Sequence, residues 1–581
     1  RYNFHGTGEG WYYIDPQILV SGVHVFVERT GYGNIDVDRS GVAVISAHHA
    51  TSVGLAPIVA RDAAVGAGIF EFSDGDPTID GYASPCIGVN TNGYYQLAMM
   101  DDSTQGSLCW SRSTAWRTWD PAMRIPPPEP EVLSSGYNIA TSKVSNSGKV
   151  CITWVLAPVS GYAQEPGFYR ESPDGGHTWN DPVQLEFPPA FSPSSETVPS
   201  FHVSSLFPFY DNDDRLNIVA NVSPYVNDTN WIDPSEIWHY SPDNKPMWNR
   251  IHIAGCNPGN LLGSVGINAT YACRPSIGQD DYGDLFVTWE QFDSANVEPT
   301  TSRLRAGIWA AGSTDGGVSW SPALKLTTPG TASCRFPSIC DLTWPGDSLA
   351  VLYELDKCAG FAFYNEGPLT VNPIVVQKIP IRSIIERGPY YGRLKKPNGG
   401  ETLFVGHTFA IKWIVIPKTF DHGVVSLSTD GGSTFPTVIE DSIPPTDTIV
   451  LWNSIPQVCC SLCRVKFEAK DSLGATVFSD ASYRNFTIDS VSGGVPGNRL
   501  EPRTEATPEP TVILGVLFLS EASSHKPQAA SLLDISGQKV QDLHPGANDV
   551  RALAPGVYFV REEPQASSRK PQPVRKVVVT E

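Results

Sequence analysis

The chain reads as an all-β protein: a six-bladed β-propeller followed by two C-terminal β-sandwich domains. Three observations lead there. Apolar β-branched runs are cut by turn residues, with 51 Gly, 49 Pro, 15 Trp and 21 Tyr against 4 Met in 581 residues, and long amphipathic helical patterns are hard to find. A pattern of apolar strand, Gly or Asp turn and alternating strand recurs six times. A short motif of Ser, Asp, Gly and Trp returns at one place within that unit.

The six units begin with GNIDVDRSGVAVISAHH (33–49), SPCIGVNTNGYYQLAMMD (84–101), YNIATSKVSNSGKVCITWV (137–155), PSFHVSSLFPFYDNDDRLNIVANV (199–222), CRPSIGQDDYGDLFVTWEQF (273–292) and CRFPSICDLTWPGDSLAVLYEL (334–355). Each has room for four short strands. Four-stranded units repeated around an axis describe a propeller. Residues 10–30, WYYIDPQILVSGVHVFVERTG, precede the first unit and are expected to supply outer strands that close the ring against the last blade.

The recurring motif has two full copies: Ser172, Asp174, Gly176, Thr178 and Trp179, then Ser313, Asp315, Gly317, Ser319 and Trp320. SPDNKPMW keeps Ser241, Asp243 and Trp248, and SRSTAWRTW only Thr118 and Trp119. The motif follows the third strand, where the chain must reverse tightly. The Asp carboxylate is expected to accept backbone N–H groups, the Gly to take positive φ, and the Trp to pack back between blades. These copies resemble the Asp-box, or bacterial neuraminidase, repeats of sialidase-like propellers, over roughly residues 1–392. That resemblance implies boxes on the rim, away from the reaction centre.

At PNGGETLFVGHTFAIKW (397–413) the texture changes, and period-two alternation through residue 489 resembles an immunoglobulin- or fibronectin-like sandwich spanning 393–489. LSTDGGSTF repeats the hairpin chemistry there, with Phe435 in the Trp place. Residues 490–511 are rich in Gly, Pro, Thr and charge and read as a linker. Residues 512–581, with GVYFVR at 556–561 as their most specific part, resemble the C-terminal sorting domain of the type IX secretion pathway. That implies export across an outer membrane and an extracellular or cell-surface location.

The formal charge of −20, from 61 acidic and 41 basic residues, argues against nucleic-acid and anionic-membrane partners. No run of about 18 apolar residues exists to span a membrane. A start at Arg1 rather than Met suggests a mature form whose export signal has been removed; truncation would look the same. Eleven cysteines without paired C-x-x-C knuckles favour disulfides over zinc. Cys340 with Cys358, Cys86 with Cys109 and Cys256 with Cys273 are near enough in sequence to bridge neighbouring strands. Cys459, Cys460 and Cys463 lack the His or fourth Cys of a metal site.

For a sialidase the resemblance implies three arginines at the propeller centre, a Tyr nucleophile with a Glu partner, and an Asp acid. The carry-over is partial. Arg274 and Arg335 sit at the starts of inner strands, where they could reach a central channel or pair with carboxylates lining it, the favoured reading. AVLYEL (350–355) resembles the last-blade segment whose Glu braces the first Arg, which would make that residue Glu354, while Tyr353 alternates into the core. MRIPP (123–127) follows a decayed box and is a chance match to the family's F-R-I-P signature. His48 and His49 point oppositely on a strand and do not share a metal. The acidic loops DNDD (211–214), DDYGD (280–284) and SDGDPTID (73–80) offer oxygens to Ca2+, but none follows the twelve-residue loop pattern, so no cofactor is expected.

These readings favour a non-catalytic extracellular protein with a structural, adhesive or glycan-binding role, able to assemble into a homo-oligomer or polymer through exposed sheet edges. An exo-acting glycoside hydrolase of sialidase type is the alternative. A peptidase has neither nucleophile elbow nor metal motif to stand on.

Overall fold

In the computed structural model, residues 4–5, 11–12, 25–26, most of 30–490 and the strands between 511 and 580 are described; the main intervals outside this set are 74–78, 102–106, 126–135, 157–166, 186–199, 256–260 and 342–347. The chain divides into two units, Arg1–Val491 and Ser492–Glu581. None of the described helices is long and apolar enough to cross a membrane.

The first unit is all-β. Six antiparallel sheets follow one another along the chain, each a simple meander. Sheet I is Thr30–Val37, Ala43–Thr51, Gly54–Asp62 and Phe70–Ser73; sheet II is Tyr82–Val89, Tyr95–Asp101, Leu108–Ser113 and Met123–Arg124. Sheet III is Asn138–Thr141, Val150–Val155, Gly167–Ser172 and Val183–Gln184; sheet IV is Ser200–Tyr210, Leu216–Val226, Ser235–Tyr240 and Trp248–Ala254, with Thr229–Asn230 paired at its edge. Sheet V is Ala272–Gln279, Leu285–Val297, Leu304–Ser313 and Leu324–Lys325; sheet VI is Ser333–Ile339, Ser348–Asp356 and Ile374–Pro380. The six repeats found in the sequence supply the first two strands of these sheets.

Second strands carry the apolar runs, as in VCITWV of sheet III, where all six residues are buried. A strand buried on both faces is continuous in apolar character rather than alternating. The cores are shared between neighbours: one joins Val219 and Ile237 of sheet IV to Val287 and Trp289 of sheet V, and another joins Phe286 and Ile308 of sheet V to Leu349 and Val351 of sheet VI.

Sheet VI has three strands among the described residues. Of the segment expected to complete it, residues 13–24 lie outside the description; Val25 packs with Ala43 and Ala60 of sheet I, and the Phe26 and Phe72 rings are 6.1 Å apart.

Two further sheets share one core built on Leu394, Ile411, Trp413, Val425, Phe467 and Phe486. One holds Tyr391–Lys396, Phe409–Ile416 and Ile449–Trp452; the other is centred on Cys460–Lys470 and His422–Ser428, with Thr402–Phe404 pairing parallel to Phe486–Asp489. This sandwich is held to hairpins of sheets IV and V. The Arg393 guanidinium reaches Asp213, the Asn398 amide reaches the same carboxylate, and the Tyr282 and Tyr391 rings meet edge-on at 5.0 Å.

The second unit contains a five-stranded sheet, in which Thr511–Leu514 runs parallel to Val574–Thr580, and a two-stranded sheet of Val516–Leu519 and Gly546–Asp549. GVYFVRE (556–562) is an interior strand of the larger sheet.

The expected disulfides are corrected by the strand register. Cys86 and Cys109 are both thiols; they lie on the first and third strands of sheet II, with Tyr95–Asp101 between them. Two strand spacings amount to about 9–10 Å, beyond disulfide reach. Cys340 and Cys358 are also thiols. The Cys340 amide bonds to Ala350 near the start of strand Ser348–Asp356, whereas Cys358 follows its far end. Cys273 is a buried thiol and Cys256 lies outside the described residues.

Candidate functional site

The first strands of four sheets share one local departure from regular pairing. Register shifts fall between Gly31 and Asn34, Ala83 and Cys86, Cys273 and Ser276, and Arg335 and Ser338. Each bulge places one residue in the left-handed region: Tyr32 at φ 54°, Ser84 at 52°, Arg274 at 53° and Phe336 at 53°. Left-handed backbone is uncommon for residues other than Gly, and such strain clusters where side chains are being aimed. Pro follows in three of the four, which biases the bulge residue away from the right-handed helical region.

Arg274 and Arg335 are brought together at this level, on one carboxylate that sequence reasoning missed. Glu290 sits on the second strand of sheet V, opposite Cys273 in register, and is fully buried. Arg274 Nη1 donates to Glu290 Oε1; Arg335 Nη2 lies 3.2 Å from Oε1, and Arg335 Nε donates to Oε2 at 3.2 Å. The Phe336 amide also donates to Oε2, at 2.8 Å. Burial alone would push the Glu290 carboxyl up, but Arg335 and Arg274 outweigh it and hold it at about 2. Burial pushes the neighbouring Cys273 thiol up to about 12, so it is no nucleophile at neutral pH.

Aromatic rings enclose the two guanidiniums. Arg274 lies 4.9 Å from the Phe336 ring centre and 5.9 Å from that of Phe361; Arg335 lies 4.9 Å from Phe292, 5.1 Å from Phe336 and 5.4 Å from Phe361. Such stacking is worth roughly 1–2 kcal/mol per desolvated contact. Tyr364, 43 % exposed, extends the ring cluster outward, its ring 6.1 Å from Phe361. On sheet I the bulge residue Tyr32 is 72 % exposed and packs against the His48 ring at 5.3 Å in a tilted arrangement; His48 Nδ1 accepts the Ser84 amide at 2.9 Å.

Glu354 is opposite Arg335 in the strand register, and its Oε1 accepts the Asn372 amide at 2.6 Å. Tyr353 is buried and donates to Gln377 at 3.4 Å. Arg124 reaches Ser107 Oγ from the short outer strand of sheet II. The acidic turns cap their own backbones: Asp211 Oδ1 accepts the amides of Asp213 and Arg215, and Asp280 Oδ1 those of Tyr282 and Asp284. SDGDPTID falls largely outside the described residues. Among the described residues no three His, Cys, Asp or Glu side chains converge as metal ligands.

At the opposite ends of the first strands a second group meets. Lys143 Nζ donates to both oxygens of Asp36 at 2.7 Å and to the Val89 carbonyl at 2.8 Å, tying sheets I, II and III. Asp341, just past the first strand of sheet VI, is near enough for its charge to feel Asp36 and Lys143. Asp341 is exposed; desolvation by the surrounding protein, then the charge of Asp36, raises its carboxyl to about 6.

The Ser-Asp-Gly motifs lie between third and fourth strands. In sheet III, Gly176 N donates to Ser172 Oγ at 2.8 Å, Thr178 N to Asp174 Oδ1 at 2.8 Å and Thr178 Oγ1 to Asp174 Oδ2 at 2.7 Å. Gly317, Ser313, Ser319 and Asp315 of sheet V make the same bonds at 2.8, 2.9 and 2.6 Å. Both clasps seat on the preceding sheet. The Gly175 carbonyl accepts Gln96 Nε2 at 3.0 Å and Trp179 meets Trp110 edge-on at 5.2 Å, while Gly316 accepts Asn244 Nδ2 at 3.0 Å and Trp320 lies 5.4 Å from His239. In the degraded copies, Trp119 Nε1 donates to Ser73 of sheet I, and Ser241 Oγ to Leu216 within sheet IV. Trp248 packs at a tilt against Tyr240 of its own sheet, with ring centres 5.0 Å apart.

No family model and no curated protein matches this chain. Solved structures do. A polysaccharide lyase, PL25 ulvan lyase, is similar over 62 % of this chain and 83 % of its own at 11 % identity and a TM-score of 0.39. A Penicillium chrysogenum α-L-arabinanase is similar over 62 % and 96 %, at 12 % identity and a TM-score of 0.36. A Dyadobacter fermentans protein of unknown function is similar over 62 % and 98 %, at 14 % identity and a TM-score of 0.37. These all-β likenesses are distant and carry no assignment of activity to this chain.

Proposed function

We propose that sheets I–VI are the six blades of an Asp-box propeller spanning residues 1–392, and that it is the non-catalytic, glycan-binding and adhesive module of an exported protein. Support for ring order comes from the first strands, which pack successively against one another, and from Asp341 of sheet VI lying close to Asp36 of sheet I. In this reading residues 10–30 complete the last blade, 393–489 form an immunoglobulin-like sandwich, 490–511 a linker and 512–581 a sorting domain that directs the chain to the cell surface. The sandwich, seated on the first-to-second-strand turns of sheets IV and V, leaves the bulged ends of the first strands as the open mouth.

The observation that carries the functional reading is the closure of Arg274 and Arg335 on Glu290. Both guanidiniums already meet a buried carboxylate, so they act as a brace between two sheets rather than as a clamp for an acidic sugar. Around that brace the mouth offers the rings of Phe336, Phe361 and Tyr364, and sheet I adds the exposed Tyr32, against which the C–H face of a sugar packs.

The full chain retained on immobilised neutral polysaccharide, and released from it by Tyr32→Ala or Tyr364→Ala, is the expected result. Turnover of a fluorogenic sialoside, abolished by both Arg335→Ala and the milder Arg335→Lys, would instead establish the sialidase-type hydrolase.

A further inference from the structure

The sandwich strand Cys460–Lys470 begins with a cysteine pair placed by an irregularity in its pairing. Cys460 lies opposite Ile488 and Cys463 opposite Phe486, three residues on one strand against two on the other. The extra residue keeps both cysteines on one face of the sheet, which strict alternation would not do for positions three apart. Cys463 is buried in the sandwich core and Cys460 packs against that same core, partly open to solvent. Cys463 Sγ donates to the Cys460 carbonyl at 3.5 Å, and its thiol is near enough to that of Cys460 for the two titrations to influence each other. Cys460 Sγ donates to the Thr429 carbonyl at 3.3 Å and accepts the Leu462 amide at 3.3 Å. Thr429 belongs to the sandwich's own copy of the clasp, where Gly432 N donates to Ser428 Oγ at 2.9 Å and Thr434 N to Asp430 Oδ1 at 2.9 Å.

We propose that Cys460 and Cys463 are a dithiol that closes into a disulfide across this bulge, and that closing it unfastens Cys460 from the Thr429 carbonyl. A low-molecular-weight disulfide such as oxidised glutathione is the oxidant. The more open Cys460, as thiolate, attacks one glutathione sulfur, forming a mixed disulfide and releasing one glutathione thiolate. Cys463, giving up its proton to solvent, then attacks Cys460 Sγ; the protein disulfide forms and the second glutathione leaves as thiolate. Two electrons pass to the glutathione disulfide, which is reduced to two thiols. Burial and the neighbouring thiol push Cys463 up to about 12, so the second step is the slow one and quickens as pH rises. Cys459, adjacent and exposed, precedes the strand.

The test uses the full chain, incubated with oxidised glutathione and then alkylated under denaturing conditions. Of the eleven cysteines, two that react with the alkylating agent before oxidation become protected, digestion and mass mapping link Cys460 to Cys463, dithiothreitol restores both, and Cys459→Ser leaves the result unchanged. Because the linkage is mapped on the unsubstituted chain, it does not depend on whether a core variant folds. Both cysteines alkylated after oxidation, or a linked peptide that joins Cys459 or a distant cysteine instead, would overturn the assignment.

Discussion

Gly317 lies so close to His239 that a Cβ on it would stand 2.2 Å from the imidazole Cε1, with its backbone at φ +86°. Gly176 meets Trp110 in the same way, at 2.3 Å and φ +85°. The clasp therefore joins two sheets, and its glycine is the point of closest approach. Gly317→Ala is expected to lower unfolding stability by about 2–4 kcal/mol, combining left-handed strain with overpacking. In the sandwich, Gly432 faces only the flexible Arg464 side chain, so Gly432→Ala should cost about 1 kcal/mol. Urea titrations of the two variants giving equal losses would contradict the inter-sheet role.

Glu290 holds two arginines from neighbouring sheets, so Glu290→Gln should leave two buried positive charges facing a neutral amide. A loss of about 3–5 kcal/mol is expected. The same group predicts acid sensitivity. Its folded value of about 2 is below the ordinary 4.5, so its contribution is complete above pH 4.5 and disappears as pH falls toward 2, about 3 kcal/mol in all. Denaturation midpoints measured between pH 5 and pH 2 should fall in the native chain and be much flatter in Glu290→Gln.

Asp341 has the opposite sign. Its carboxyl, raised to about 6 from 3.8, binds its proton more tightly folded than unfolded, so its effect is most favourable below pH 3.8 and is lost as pH rises through 6. Asp341→Asn should therefore raise the melting temperature at pH 7 and change it little at pH 4. Lys143→Met removes the ammonium that Asp36 holds and should lower stability at pH 7 by roughly 1 kcal/mol, since Lys143 is 35 % exposed and partly screened.

Arg393 is 9 % exposed and meets Asp213, 15 % exposed, across the junction between sandwich and sheet IV. Arg393→Ala is expected to lower stability by about 3 kcal/mol and to speed proteolysis of residues 381–390. Arg393→Lys should recover only part, because an ammonium cannot satisfy Asp213 with a planar fork. Unchanged cleavage in both variants would show that the sandwich is held by other contacts.

Strand content, the six-sheet order and the clasp turn were legible because each is written locally, in alternation, turn residues and fixed spacing. The bonds of Ser172, Asp174 and Gly176 follow from residues no more than six apart. Glu290 was not legible. In VTWEQF it is an ordinary charge at the end of an apolar run, and only the approach of Arg335, 45 positions away, marks it. Proximity in sequence also misled for Cys86 and Cys109, which a hairpin brings to one sheet but an intervening strand keeps apart. Arg274 and Phe336 share a backbone position although Arg274 and Arg335 look equivalent by their CR context; the bulge, set by pairing rather than residue type, decides which side chain is aimed outward.

That shared bulge has an evolutionary corollary. Tyr32, Ser84, Arg274 and Phe336 occupy one conformation with four unlike side chains, so the main chain there is indifferent to its occupant. The sites behave as sockets for the main chain: one bend carries phenol, hydroxyl, guanidinium or phenyl, so at positions not tied to Glu290, as Arg274 is, a single substitution can present a different group to a ligand.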